Sequence, residues 1–139
     1  MEMSHLVAKR STCLRRKVGA ILVKDKHILS TGYNGAPKGL NHCSEVGCLK
    51  DAEDIPLNAR AGRCRAMHAE MWALTNLVVN GGVSAKGADM YLNVGPCEIC
   101  GKLITQSGIE NVILLEGAHS TSGTNILREA GINIRYVKL

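Results

Sequence analysis

Residues 68–100 read HAEMWALTNLVVNGGVSAKGADMYLNVGPCEIC, and the fold class follows from how this stretch divides. Met67, Met71, Leu74, Leu77 and Val78 recur at helical spacing, so residues 66–79 are expected to form a helix with an apolar face. Asn80-Gly81-Gly82 ends it, residues 89–94 have the character of a strand, and Gly95-Pro96 turns the chain into a second helix over residues 97–106. The same stretch carries chemistry. His68, Cys97 and Cys100 supply three metal-ligand side chains, one short of the four that a closed structural zinc site uses. Three protein ligands leave a position for water, which is the catalytic arrangement. Cys97 and Cys100 are three apart and so share a helical face. A helix N-terminus also favours the thiolate form that zinc needs. Glu70 lies two residues beyond His68, within reach of that water's protons without being a ligand. Glu98 is read as a first-turn carboxylate that complements the helix dipole.

Downstream of this stretch come a strand at 111–115, a helix near 124–130 and a strand at 132–137. Alternation of strand and helix at this spacing implies parallel pairing and a layered α/β fold. Upstream, residues 2–11 are expected to be helical, with Leu6, Val7 and Arg10 on one side. Residues 18–23 and 27–33 form two strands of a hairpin, joined through Lys24-Asp25-Lys26 by a turn longer than the tightest kind. His27 beside it is a solvated surface histidine. Gly32 to Gly39 is a loop by composition. It is either a sharp exit from the strand or a backbone-rich wall around a nucleotide, with Asn34 able to donate and accept at once. Trp72 is either a core residue or part of a pocket wall.

Six cysteines in a chain without an apolar leader point to metal rather than to disulfides. Two belong to the trio above. Cys13, Cys43, Cys48 and Cys64 lie upstream, three of them in an irregular, polar stretch from 41 to 65 whose length calls for function or a staple. They are either a closed zinc site or four free thiols. The formal charge is +5. A neutral His-Cys-Cys zinc site and a four-thiolate zinc site would bring it to roughly +3, a modest excess suited to a phosphorylated small molecule. Apart from Lys9-Arg10 and Arg15-Arg16-Lys17 there is no dense basic run. Tyr33, Trp72, Tyr91 and Tyr136 are the only aromatic residues, so a base-stacking nucleic-acid platform is not expected. No run approaches the ~20 apolar residues of a membrane helix. A single domain over residues 1–139 and a cytoplasmic location are expected.

The residues as a set resemble the zinc-dependent cytidine deaminase superfamily, whose signature is H-x-E followed by P-C-x-x-C. Within it they are most similar to deoxycytidylate (dCMP) deaminases, including the bacterial competence-operon type. The similarity runs through Ser11-Thr12-Cys13, Val18-Gly19-Ala20, Thr31-Gly32-Tyr33-Asn34-Gly35 with Pro37, and His42-Cys43 with Gly47-Cys48. It continues through His68-Ala69-Glu70, Met90-Tyr91, Pro96-Cys97 with Cys100, and Gln106-Ser107-Gly108-Ile109. The resemblance implies a three-layer αβα fold around a five-stranded mixed sheet, frequently assembled as a hexamer. It implies hydrolysis of dCMP to dUMP and ammonia, a cleavage of a cyclic amidine C–N bond. It also implies a second, structural zinc on Cys13 and Cys43, completed by Cys48 and Cys64, with His42 as the reserve ligand. Allosteric activation by dCTP with Mg²⁺ and inhibition by dTTP, near the Gly-Tyr-Asn-Gly loop, are further implications. The chain departs from the family pattern at Trp72 (usually Asn), at Asn93 (usually Thr), at Gly95, in its short first helix, and in lacking a tyrosine-rich stretch over Glu116-Gly117-Ala118-His119-Ser120.

In that framework zinc on His68, Cys97 and Cys100 acidifies water, and Glu70 moves its protons to the base. The resemblance assigns backbone groups of Ala69 to the base and Asn34 to the sugar. Arg15 and Lys17 are the candidates for the 5′-phosphate. Other occupants of the same zinc core would be dCTP, a 5-substituted dCMP, a tRNA adenosine or the pyrimidine of riboflavin synthesis. The Cys-rich insertion and the Gly-Tyr-Asn-Gly loop favour a free nucleotide. A non-catalytic, zinc-stabilised binding module is disfavoured because a structural zinc has no use for Glu70.

Overall fold

In the computed structural model, which describes residues 1–118 and 121–139, a five-stranded sheet runs in the order β2-β1-β3-β4-β5. Its strands are β1 (Gly19–Lys24), β2 (His27–Tyr33), β3 (Asp89–Leu92), β4 (Asn111–Leu115) and β5 (Asn133–Val137). β1 pairs antiparallel with both β2 and β3, whereas β3, β4 and β5 run parallel. Mixed pairing follows from the connections. A hairpin reverses the chain between β1 and β2, while crossovers through α5 (Glu98–Gln106) and α6 (Thr121–Glu129) return it in the same sense. His119 and Ser120, the end of the stretch that departs from the tyrosine-rich pattern, lie outside the described residues.

The core lies on one face of the sheet. Ala20, Leu22, Met90, Leu92, Val112 and Leu114 alternate toward it and are buried under α4 (Ala69–Val79), α5 and α6. On the other face α1 (Glu2–Ala8) covers β1 and β2, lying against Gly19, so the layers there are helix, sheet, helix, while Tyr91, Ile113 and Arg135 of β3–β5 line a shallow open pocket. No helix among the described residues is long and apolar enough to cross a membrane.

Three local expectations are corrected. The hairpin turn is the tightest kind: Lys24 pairs with His27, and Asp25 and Lys26 both take left-handed backbone at φ 50° and 64°. The extra residue sits instead in β2 as a bulge, where register shifts between Leu22↔Ser30 and Val23↔Ile28. The second correction concerns α1, whose buried residues are Ser4 and Ala8 while Leu6 is 63% exposed. The third concerns α4, which begins at Ala69 and buries Ala69, Glu70, Ala73 and Leu77, leaving Val78 at 75% exposure. One cause explains both helices. A Cβ on Gly19 would stand 2.0 Å from the Ser4 carbonyl oxygen, and one on Gly32 would stand 2.1 Å from that of Ala69. Glycine in a strand admits the helix backbone itself, and only small side chains fit along so close a seam.

The irregular stretch from 41 to 65 contains two single helical turns, α2 (Cys43–Val46) and α3 (Leu49–Ala52). Lys50 holds it together from within. Its buried ammonium donates to the carbonyl oxygens of Ala59 at 2.7 Å and Leu57 at 3.4 Å.

Candidate active site

Two helix starts meet at the site. Met67 exchanges both backbone hydrogen bonds with Gly35, which fixes the chain in extended form one residue before His68. His68 is then the N-cap residue of α4, still extended at φ −72° and ψ 158°, so its ring stands clear of the helix end. Cys97 occupies the same place on α5, at φ −73° and ψ 173°, and its sulfur accepts from the Cys100 N–H at 3.5 Å. Cys100, one turn on, is fully buried.

His68 Nδ1 lies 3.4 Å from Cys97 Sγ and 3.5 Å from Cys100 Sγ. Tetrahedral zinc with ordinary Zn–S and Zn–N bond lengths places a nitrogen and a sulfur ligand roughly 3.6 Å apart. The trio therefore fits zinc. It is the only group of three or more metal-ligating side chains among the described residues whose ligand atoms all lie within 4.8 Å of one another.

The electrostatics favour such an ion. Hydrogen bonding from Cys100, with a further contribution from His68, brings the Cys97 thiol down to about 4. The Cys97 sulfur and burial in turn push the Cys100 thiol far up, and the hydrogen bond to Cys97 holds His68 above its ordinary value. Only one of two adjacent sulfurs can carry charge without a cation, and a divalent ion relieves that repulsion. Glu70, in the first turn of α4, is 3% exposed beside Cys100. Burial pushes its carboxyl above the usual range.

A cavity of about 420 Å³ opens over this group, and Ala69 and Asn34 both reach its wall. The Asn34 amide is already half committed: Oδ1 accepts from the Val18 N–H at 2.8 Å, and Nδ2 donates to the Arg16 carbonyl at 2.8 Å. One N–H of that amide is left for a ligand. Of the two phosphate candidates, Arg15 lines the cavity and Lys17 is exposed outside it; Arg16 and Lys50 line it instead. Arg15 is anchored on Asp51 at 2.5 Å, yet its buried Nη1 has no hydrogen-bond partner among the described residues.

Cys13, Cys43, Cys48 and Cys64 all face the same cavity. Burial, then the neighbouring Cys64, Cys13 and Cys48 in that order, raises the Cys43 thiol. The four sulfurs are thus gathered, though not to the separation that the His68 group reaches. His42 caps α2 with Glu45 and meets Thr12 Oγ1 at 3.1 Å. Glu98 pairs with Lys102 at 3.1 Å on the surface, and His27 is exposed.

Sequence reasoning missed two contributors. Trp72, half-buried and off the cavity wall, donates to the Gly35 carbonyl at 3.0 Å and stacks on Tyr33 with centroids 6.3 Å apart. It pins the Gly-Tyr-Asn-Gly loop to α4, and nothing in its spacing announced that. Lys50 carried no signal either, since a lysine in a polar stretch is ordinarily solvated.

Comparison with known proteins places the geometry among relatives. The family profile described as the cytidine and deoxycytidylate deaminase zinc-binding region matches residues 1–116. The chain is 36% identical over 138 residues to a deoxycytidylate deaminase of Schizosaccharomyces pombe, covering 97% of this chain and 42% of that one. It is 36% identical over 140 residues to ComE operon protein 2 of Bacillus subtilis, covering all of this chain and 69% of that one. Among solved structures, a dCMP deaminase from the cyanophage S-TIM5 in complex with dCMP and dUMP superposes with a TM-score of 0.78 at 30% identity, covering 98% of this chain and 92% of that one.

Proposed function

We propose that this chain, which belongs to the cytidine and deoxycytidylate deaminase family, deaminates dCMP hydrolytically to dUMP and ammonia. The observation that carries the reading is the convergence of His68, Cys97 and Cys100 beside a buried carboxylate in one cavity. A trio that fits zinc, with a fourth position open, suits hydrolysis, and Glu70 supplies what a structural site lacks. Bound to the trio, zinc supplies a water acidified to near neutral pH. Glu70 takes the proton of the water that attacks C4. It delivers that proton to N3, then carries the proton of the new C4 hydroxyl to the exocyclic amino group, which leaves as ammonia while the C4 carbonyl forms. Its raised proton affinity suits a group that must both accept and donate near neutrality.

The substrate assignment rests on the relatives' names and on the cavity's charge. Ala69, at the wall, offers backbone groups to the base, and the remaining Asn34 N–H suits a sugar hydroxyl. Arg15 and Arg16, both on the cavity wall, suit a 5′-phosphate. Ammonia release, with zinc quantified on the same sample, tests the reading against cytidine, deoxycytidine, CMP, dCMP and dCTP. Turnover is expected to be fastest on dCMP. No turnover of any of them by fully zinc-loaded protein would overturn it.

Cys13, Cys43, Cys48 and Cys64 hold, in this reading, a second zinc that staples the 41–65 stretch, with closure of the sulfurs on the ion. Two zinc per chain are expected. Cys43→Ser should release one of them and lower the thermal midpoint, with kcat on dCMP changed by less than about threefold. One zinc per chain in the unaltered protein would rule this staple out. The wider reading is a single-domain, cytoplasmic homo-oligomer, a hexamer, activated by dCTP with Mg²⁺ and inhibited by dTTP. Exposed Met3 and Leu6 on α1 and Val79 on α4 suit burial between copies.

A further inference from the structure

Asn93 stands where the resembled family usually carries threonine, and in the structure its carboxamide holds two backbone groups of the chain that enters β1. β2 and β3 flank β1, and their ladders end together: Gly19 pairs with Tyr33 on one side, and Ala20 pairs with Leu92 on the other. The next residue of each outer strand is an asparagine. Asn34 grips the approaching chain by the Arg16 carbonyl and the Val18 N–H, both at 2.8 Å. Asn93 grips it by the Lys17 carbonyl at 3.2 Å and the Gly19 N–H at 2.9 Å.

In an extended chain the backbone groups of successive residues point to opposite edges. The carbonyl of 16 and the N–H of 18 lie on one edge, those of 17 and 19 on the other. Each carboxamide therefore does for its edge what a neighbouring strand would do, giving one donor and accepting one. Residues 16–19 are held as a continuation of β1 by these two carboxamides together with one backbone hydrogen bond, from the Asn34 N–H to the Val18 carbonyl at 3.2 Å. That conformation decides which side chains meet the cavity. Arg15, Arg16 and Val18 line it, while Lys17 is exposed.

We propose that Asn93 is a positioning residue for the nucleotide: its side chain, which is not on the cavity wall, holds the Arg16–Gly19 segment so that Arg15, Arg16 and Val18 form that wall. This rests on the reading of the cavity as a nucleotide site. Asn34 touches the cavity as well as the segment, so its loss would mix two effects. Asn93 acts only through the backbone it holds. Aspartate keeps the acceptor for the Gly19 N–H but loses the donor to Lys17, and alanine loses both.

The test combines kinetics on the zinc-loaded protein with amide hydrogen exchange at Val18 and Gly19. For Asn93→Ala we expect KM for dCMP to rise about tenfold, with kcat within about twofold and the zinc content unchanged. Protection of the Gly19 amide should fall by about tenfold or more, and Asn93→Asp should fall between the two in KM. Were Asn93→Ala not to fold, Asn93→Asp alone carries the comparison. Unchanged KM, or a fall in kcat with KM constant, would overturn the inference. Should the unaltered protein not turn over dCMP, the deaminase reading fails. The clamp is then decided by exchange alone, and unchanged protection at Gly19 in either variant refutes it.

Discussion

Glu70→Gln should leave the protein folded and zinc-loaded while lowering kcat on dCMP by about 10⁴-fold or more. Positioned acid–base groups contribute about 10²–10⁴-fold for a single proton transfer, and here one carboxylate serves in at least two. Glutamine keeps the volume and can keep a hydrogen bond, but it can neither accept the water's proton nor release one to the base. The change should not disturb the metal, because the ligand atoms belong to His68, Cys97 and Cys100. Nor should it disturb packing greatly, since burial already raises the proton affinity of the Glu70 carboxyl and a neutral amide suits the same environment. Zinc analysis and ammonia release on one preparation check the prediction. Activity within a hundredfold of the unaltered protein would remove Glu70 from the proton-transfer role.

The chemistry of this site was more legible in the sequence than the seams that hold it. His68, Cys97 and Cys100 announce themselves because zinc tolerates few ligand types and because Cys-x-x-Cys at a helix start brings two sulfurs to one face. The parallel order of β3, β4 and β5 was equally readable, since helices intervene at crossover length. Periodicity failed for α1, and for α4 it found Leu74 and Leu77 but misplaced Val78, for one physical reason. It looks for large apolar side chains, whereas both helices approach the sheet along small residues against Gly19 and Gly32. A glycine inside a strand was the available signal of close backbone approach. Lys17 was chosen over Arg16 as a phosphate contact because which side chains of a short basic run face a cavity depends on the backbone path, and here Arg15 and Arg16 both do. Two asparagine side chains outside the ladder hydrogen-bond that backbone here, and no local pattern reveals them.

Gly32→Ala is expected to damage stability and catalysis together, although residue 32 touches neither zinc nor substrate. A Cβ there would lie 2.1 Å from the Ala69 carbonyl oxygen and 2.4 Å from the Ala73 backbone nitrogen. Both are main-chain atoms of α4, so no rotamer change relieves the contact. β2 is the edge strand, but the pairing of Gly32 with Ala20 and of Tyr33 with Gly19 ties it to β1 on its inner side, which limits its retreat. α4 must therefore lift by about 1 Å or more to reach ordinary van der Waals separation. Lifting strains the two hydrogen bonds that tie α4 to β2, Ser30 Oγ to the Ala73 carbonyl at 2.7 Å and Asn76 Nδ2 to the Thr31 carbonyl at 2.9 Å. Overpacking against backbone with loss of such bonds costs about 3 kcal/mol, roughly a 10 °C fall in thermal midpoint for a chain of this size. Because His68 and Glu70 flank Ala69, the same lift moves the ligand and the proton carrier away from Cys97 and Cys100. A displacement of about 1 Å at a reacting centre costs on the order of a hundredfold in kcat, and zinc affinity should fall with it. Gly62→Ala is the matched control, since a Cβ there meets nothing within 4 Å and its backbone is not left-handed. It should change the midpoint by no more than about 2 °C. Equal behaviour of the two variants would mean that α4 is not seated on the backbone of β2, and that the close seam does not set the position of the site.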